Sequence, residues 1–413
     1  MHRLDLYAIG AALLAGGAAC GAPATTSSGT ATGVAVSVTP STAAVATGSS
    51  QQFAAAVTGT ADTSVVWSVQ DCGSVDQMGL YTAPGSAGTC HVVATSHADA
   101  TKTGAAVVTV SAGGGAWRPF SDSSPWNTPI PASPELEANS AQLVANFIAS
   151  SPFGPHLDVN IATFSVPLYW ADASTPTYPV YASIGGEGWN GVPSTLAVPI
   201  PAGATPDPQT DHHMLVISPD RTKEWGCYDM SYSASATPNW QANLCATADL
   251  TGTGVRTPAP QANPWWMAHG ARACGFPLVA GLIRVEEIQA GRIDHALVIA
   301  YPGIQPGHFT PPASTPSAIG NAPGGVGVPC GGRFQFDPSV DVTTLGLSRA
   351  DTIVMRALQE YGAYVGDYSG ALTLYAENSA AAQAYWTGVL GSSDLTGKID
   401  LTRFRVIKYG TMY

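Results

Sequence analysis

The sequence predicts a mainly β protein, and three observations carry that prediction. First, 45 glycines and 32 prolines in 413 residues are a density of turn formers that suits many short strands better than a helical bundle. Second, 45% of residues are hydrophobic and only 11% are charged, so core material is ample and intrinsic disorder is excluded for most of the length. Third, short runs of alternating apolar and polar residues recur along the chain, which is the period of a strand. The charge balance, 16 basic against 28 acidic residues, provides no basic face for phosphate, so nucleic acid is excluded as a partner.

Taken in order, the chain opens with Arg3 and an apolar run from Tyr7 to Ala19, too short to span a bilayer and built like an export signal. Small residues, Gly17-Ala-Ala19, immediately precede Cys20, and a polar stretch follows. This arrangement resembles a bacterial lipoprotein signal (residues 1–20), although Gly17 stands where that family usually has Leu. The resemblance implies lipidation at Cys20 as the sole link to a membrane, with location at the cell surface or in the periplasm; plain secretion is the alternative. Residues 21–33 hold Ala, Thr, Ser, Gly and Pro with no large apolar side chain before Val34, a flexible tether. Export favours disulfides over thiol chemistry. Six further cysteines permit fifteen pairings, of which the sequential set, Cys72 with Cys90, Cys227 with Cys245 and Cys274 with Cys330, closes the shorter loops.

Residues 34–112 carry strand signals at Val34, Val36 and Val38, at Phe53, Ala55 and Val57, and across Val65 to Val69, the pattern of a small β-sandwich. The motifs Val36-Ser-Val-Thr-Pro-Ser-Thr42, Gly48-Ser-Ser-Gln-Gln-Phe53, Val66-Trp-Ser-Val69, Gly79-Leu-Tyr-Thr-Ala-Pro84 and Val92-Val-Ala-Thr-Ser96 resemble the bacterial immunoglobulin-like domains of surface proteins. That resemblance implies a spacer, with Trp67 as its core tryptophan. A Gly-rich hinge at residues 113–116 separates this block from residues 117–413, which hold nine of the ten tryptophans and six of the nine histidines.

In the larger part, helical spacing predicts helices over 139–149, 347–361 and 379–390, with Ser348 as cap, Asp351 as its reciprocal acid and Gly362 as the stop. Most other segments read as strands, including 163–170, 213–218, 293–301, 333–336, 363–367 and 372–376. The expectation is a β-rich, sandwich-like domain with a few peripheral helices; no 20 to 50 residue repeat suggests a propeller or solenoid.

Familiar catalytic signatures such as H-E-x-x-H, G-x-S-x-G and the phosphate-binding loop are absent. Asp211 and His213 open a strand apolar on both faces, and a carboxylate beside an imidazole can serve acid–base chemistry or hold a metal. Asp294 and His295 open a second such strand, with His295 on the face of Ile293, Leu297 and Ile299, after a short helical turn at Glu286 closed by Gly291. A buried structural histidine is the competing reading at both places. If the two strands are neighbours, His213, His295 and Asp211 form a centre flanked by Glu224 and Trp225. Glu224 with Glu286 or Asp294 would be the carboxyl pair of a hydrolase. Arg333 would be an anion clamp for a lyase.

Trp126, Trp170, Trp189, Trp225, Trp240, Trp265 and Trp266 lie beside turn formers, and exposed tryptophans suit stacking on sugars. The segments Ser124-Pro-Trp-Asn-Thr-Pro-Ile-Pro131, Asp211-His-His-Met-Leu-Val216, Gly291-Arg-Ile-Asp-His-Ala-Leu297, Gly332-Arg-Phe334 and Ala357-Leu-Gln-Glu-Tyr-Gly-Ala363 resemble a broad group of exported, largely uncharacterised bacterial proteins, which implies a shared fold and assigns no reaction. The expected role is action on an extracellular polysaccharide as a glycoside hydrolase or polysaccharide lyase, with Arg333, Trp225, Trp189 and Trp265 at the substrate. No cofactor is required, although a metal ion on Asp211, His213 and His295 is a third reading. A non-catalytic glycan-binding adhesin is the alternative from another class.

Overall fold

The protein is described from a computed structural model covering residues 33–46, 50–84, 88–111, 117–185, 192–209, 211–256 and 270–413. The signal segment, Cys20, nearly all of the tether, the hinge, Trp189, Trp265 and Trp266 lie outside the described residues. The fold is mainly β, with 35% of residues in strands and 13% in helices.

Strands β1 (Ala35–Thr39), β2 (Thr42–Ala46), β3 (Ser50–Gln52), β4 (Ala54–Thr58), β5 (Val65–Gln70), β6 (Ser74–Val75), β7 (Leu80–Thr82), β8 (Gly88–Ser96) and β9 (Thr103–Ser111) build the first unit. They form a β1-β4 pair, a β2-β9-β8-β5 sheet and a β3-β7-β6 sheet. Period-two alternation turns Val38, Phe53, Trp67, Tyr81, Val92 and Val108 into one core. Cys72 bonds Cys90 beside it.

The second unit contains two large mixed sheets. One runs β10 (Leu157–Asn160), β23 (Leu372–Tyr375), β18 (Leu297–Ala300), β22 (Ala363–Asp367), β21 (Arg333–Phe336), β24 (Phe404–Ile407). The other runs β11 (Leu168–Trp170), β14 (Met214–Ile217), β15 (Lys223–Tyr228), β17 (Trp240–Asp249), β12 (Thr177–Gly185), β13 (Ser194–Pro199), with β16 (Ser231–Tyr232) also on β17. A short pair, β19 (Gln305–Phe309) and β20 (Pro329–Cys330), forms a separate two-stranded sheet. Four helices occur among the described residues: α1 (Ser140–Ala149), α2 (Val285–Ala290), α3 (Arg349–Glu360) and α4 (Ala380–Trp386).

Strand β14 shows why both faces of its segment are apolar. Leu215 and Ile217 belong to the large core shared with the six-stranded sheet, whereas Met214 and Val216 enter a smaller core with Val180, Val198 and Ala242. A strand inserted between two cores has no solvent face, so alternation disappears from its sequence.

The helix signals locate α3 closely. Ser348 accepts from the Asp351 N–H while the Asp351 carboxylate accepts from the Ser348 N–H, and Gly362 follows at φ 65° with a Cβ position only 2.2 Å from the Phe334 carbonyl. Only glycine fits there. Three expectations need correction. Strand β11 begins at Leu168, not at 163; α4 ends at Trp386, short of 390; and β18 begins at Leu297, leaving His295 in the turn before it. A histidine bonded through both ring nitrogens (below) is not free to occupy a face of a strand that is packed against apolar neighbours.

All three disulfides follow the sequential pairing and indicate an oxidising, extracytoplasmic environment. Among the described residues, no helix is long and apolar enough to cross a membrane.

Candidate functional site

Three consecutive residues, Ala271, Arg272 and Ala273, link the groups that face the main hollow of the second unit. Cys274 anchors the segment, bonding Cys330 through sulfur and donating its N–H to the Gly366 carbonyl at 3.2 Å. The Ala271 backbone then hydrogen-bonds the His213 ring, and the Ala273 backbone hydrogen-bonds the Asp367 carboxylate. Between them Arg272 is fully buried, its guanidinium 4.5 Å from the centre of the Tyr375 ring, with Nε and Nη1 lacking hydrogen-bond partners.

Between Asp211 and His213, His212 adopts φ 40°, and its partner Asp229 φ 49°, a left-handed backbone that costs a non-glycine residue on the order of 1 kcal/mol. Reciprocal contacts hold it: the His212 ring meets Asp229 Oδ1 at 3.1 Å, the Asp229 N–H donates to the Asp211 carbonyl at 2.8 Å, and the Met230 N–H donates to the His212 carbonyl at 3.1 Å. This kink lets Asp211 and His213 face the same space although an inverted residue separates them.

The resulting hollow, about 420 Å³, is lined by Asp211, His213, Tyr228, Asp367, Tyr368 and the loop from Thr315 to Ile319. Asp211 and Asp367 thus meet from segments far apart in sequence. Burial first, and the Arg272 charge second, hold His213 down to about 3, so its imidazole is neutral at physiological pH. Burial lifts Asp367 to about 6, with Arg272 opposing and Asp211 adding to the rise. Asp211 is raised by burial and then by the charge of Asp207, and its carboxylate accepts no hydrogen bond within the described residues. Tyr228, also raised by burial and its acidic neighbours, has its ring 5.6 Å from that of His213.

Asp367, raised to about 6, can donate a proton near neutrality, with a second carboxyl of raised proton affinity, Asp211, and a neutral imidazole beside it. No Lys or Arg lines the hollow among the described residues. Among the described residues, no group of three His, Cys, Asp or Glu is arranged to hold a metal ion.

The other residues singled out from sequence lie elsewhere. His295 does not meet His213: it is closed in with Glu287, Nε2 to Oε1 at 2.7 Å, its Nδ1 is 2.9 Å from the Ala296 carbonyl, and Arg284 bonds the same Glu287 at 2.7 Å. Glu224 is buried outside the lining of the hollow, accepting the Leu278 and Val279 N–H groups at 2.8 and 3.1 Å, and burial lifts it to about 7. Glu286 pairs with Arg284 at 3.2 Å in a separate cleft, and Asp294 pairs with Arg292. Arg333 is committed to backbone, donating to the Tyr361 and Thr128 carbonyls at 2.7 and 2.9 Å. Trp225 packs on the smaller core under the Lys223 ammonium, 4.9 Å from its ring centre, and Trp126 is core.

Sequence reasoning passed over Asp367, Arg272, Tyr228 and Tyr368. Only Asp367 left a trace, as an acid ending the apolar run of β22. Arg272 stands in a run of Ala, Cys and Gly with no periodic signal. No protein-family model and no curated protein matches the chain.

Proposed function

We propose that the second unit is a glycan-hydrolysing enzyme of the extracytoplasmic space whose reactive groups are Asp211 and Asp367. The observation that carries this reading is the meeting of these two carboxyls in one hollow beside a neutral His213. Asp367, raised to about 6, is suited to protonate a glycosidic oxygen. Asp211, with no protein hydrogen-bond partner among the described residues, is suited to activate water or attack the sugar carbon, the separation of the two carboxyls deciding the stereochemical course. His213, its ring tied to Ala271, offers the other nitrogen to a sugar hydroxyl. Lipidation at Cys20 and an immunoglobulin-like spacer would hold this unit at the cell surface.

Hydrolysis is favoured over elimination because a lyase must neutralise a uronate carboxylate. The lining described has no cation for that, and Arg272 and Arg333 are both turned to other partners.

The full chain, incubated with a panel of neutral and uronate polysaccharides, should release reducing ends. Asp211→Asn and Asp367→Asn should each lower the rate at least about 100-fold with melting temperature retained. Unsaturated uronate absorbance among the products would replace this reading with a lyase. Binding without any product would replace it with an adhesin.

A further inference from the structure

A second cleft, about 480 Å³, lies apart from the hollow, between edge strand β11, helix α2 and the residues that open α4. Its lining includes Tyr169, Trp170, Glu286, Gln289 and Glu377.

Glu377 is 8% exposed. Its Oε1 accepts the Val285 N–H at 2.7 Å, and no further hydrogen bond to this carboxyl is present within the described residues. Its second oxygen is not sealed from solvent, so it stands at the wall of the cleft as an acceptor open to water or to a ligand hydroxyl. Gln289, exposed at the same cleft, likewise makes no side-chain bond within the described residues.

Trp170 supplies the flat wall. It is 37% exposed, and its ring is held in place by the Arg221 guanidinium 4.5 Å from its centre and by an edge contact with Trp117 at 5.2 Å. Charge in the cleft is already balanced, since Glu286 has Arg284 at 3.2 Å and Arg221 at 3.9 Å. Burial, ahead of the neighbouring acids Glu286 and Glu287, raises Glu377 to about 7, so even this carboxyl is partly neutral near pH 7.

An ordered aromatic wall, two open hydrogen-bonding groups and no unbalanced charge match one ligand chemistry, an uncharged ring rich in hydroxyls. We propose that this cleft is a saccharide-binding site for neutral sugar units, separate from the hollow and independent of any reaction there. It would keep a neutral polysaccharide on the protein while another part of the same chain reaches Asp211 and Asp367.

The test is affinity electrophoresis of the full chain in gels containing laminarin, xyloglucan, galactomannan or soluble starch, with polygalacturonate as the charged comparison. Retardation is expected with at least one neutral polymer and not with polygalacturonate. The dissociation constant should rise at least fivefold in Trp170→Ala and in Glu377→Met, and should be unchanged in Asp367→Asn. Because Trp170 and Glu377 also make internal contacts, Gln289→Ala, an exposed change, serves as the variant that keeps the fold and should weaken binding in the same direction. Absence of retardation by every neutral polymer would overturn the proposal. So would retardation untouched by the three cleft variants. Loss in Asp367→Asn alone would move the binding to the hollow. Binding confined to the cleft with no reducing ends released would leave this inference standing while removing the hydrolase.

Discussion

At the scale of single residues, two buried ionisable groups of the second unit, His213 and Glu224, pull stability in opposite directions with pH. His213 is held down to about 3, below the value near 6.5 of a solvated histidine. The unfolded chain therefore gains a proton first on acidification, and the stability from this residue is lost as pH falls from about 6.5 towards 3. Glu224, raised to about 7 by burial, behaves the other way. Its folded form holds the proton more tightly than the unfolded one, so its contribution is present below about 4.5 and lost as pH rises through about 7, on the order of 3 kcal/mol in total. Melting temperatures measured from pH 4 to 8 should show Glu224→Gln flattening the neutral limb of the profile and His213→Gln flattening the acid limb. An unchanged slope in either variant would refute the assignment of that limb. The hydrolase reading adds that activity should decline above pH about 6 as Asp367 ionises.

Among the elements, short features set the geometry of the hollow. Gly366 precedes Asp367 on β22, and a Cβ there would lie 2.2 Å from Val298 Cγ2 on the neighbouring strand β18. Gly366→Ala should therefore push the end of β22 outward, lowering turnover on any active glycan at least tenfold and costing about 1–3 kcal/mol from overpacking. The cap of α3 gives a contrasting case. Ser348→Ala removes the bond to the Asp351 N–H at 3.0 Å and should cost about 1 kcal/mol in chemical denaturation, with activity unaffected because α3 contributes no group to the hollow. These elements also show what could be read in advance. Helix α3, with an acid three residues after its cap serine and a glycine after its end, carries its own boundaries. So does the short helix α2, closed by Gly291. Strand β18 does not, because Ile293 and the apolar run from Ala296 share a strand-like spacing across a turn that is buried for tertiary reasons. His295 sits in that turn, with Glu287 and Arg284 around it.

Across the whole molecule, one covalent link controls the site. The Cys274–Cys330 bond spans 56 residues and ties down the segment whose backbone bonds both His213 and Asp367. Its loss should cost about 2–5 kcal/mol of stability; the other two bonds each close 18 residues and should cost somewhat less. Loss of the Cys274–Cys330 bond should also disorganise the hollow, whereas loss of the Cys72–Cys90 bond in the first unit should not. Cys274→Ala with Cys330→Ala, assayed at a temperature where the protein remains folded, should lose most activity, whereas Cys72→Ala with Cys90→Ala should leave the rate unchanged; equal rates in the two double variants would contradict the role of residues 271–273. The sequence by itself determined the β class, the double burial of β14, the caps of α3 and a disulfide pairing favoured by loop length, because each depends on residues near one another along the chain or on composition. Only the tertiary structure decided which acids meet. Asp211 and Asp367 are brought together by a left-handed kink at His212, a crowded glycine at 366 and a three-residue segment held by a distant cysteine. Long-range packing of this kind leaves no period or spacing in the chain, and the same packing that opened one imidazole to the hollow closed the other in with Glu287.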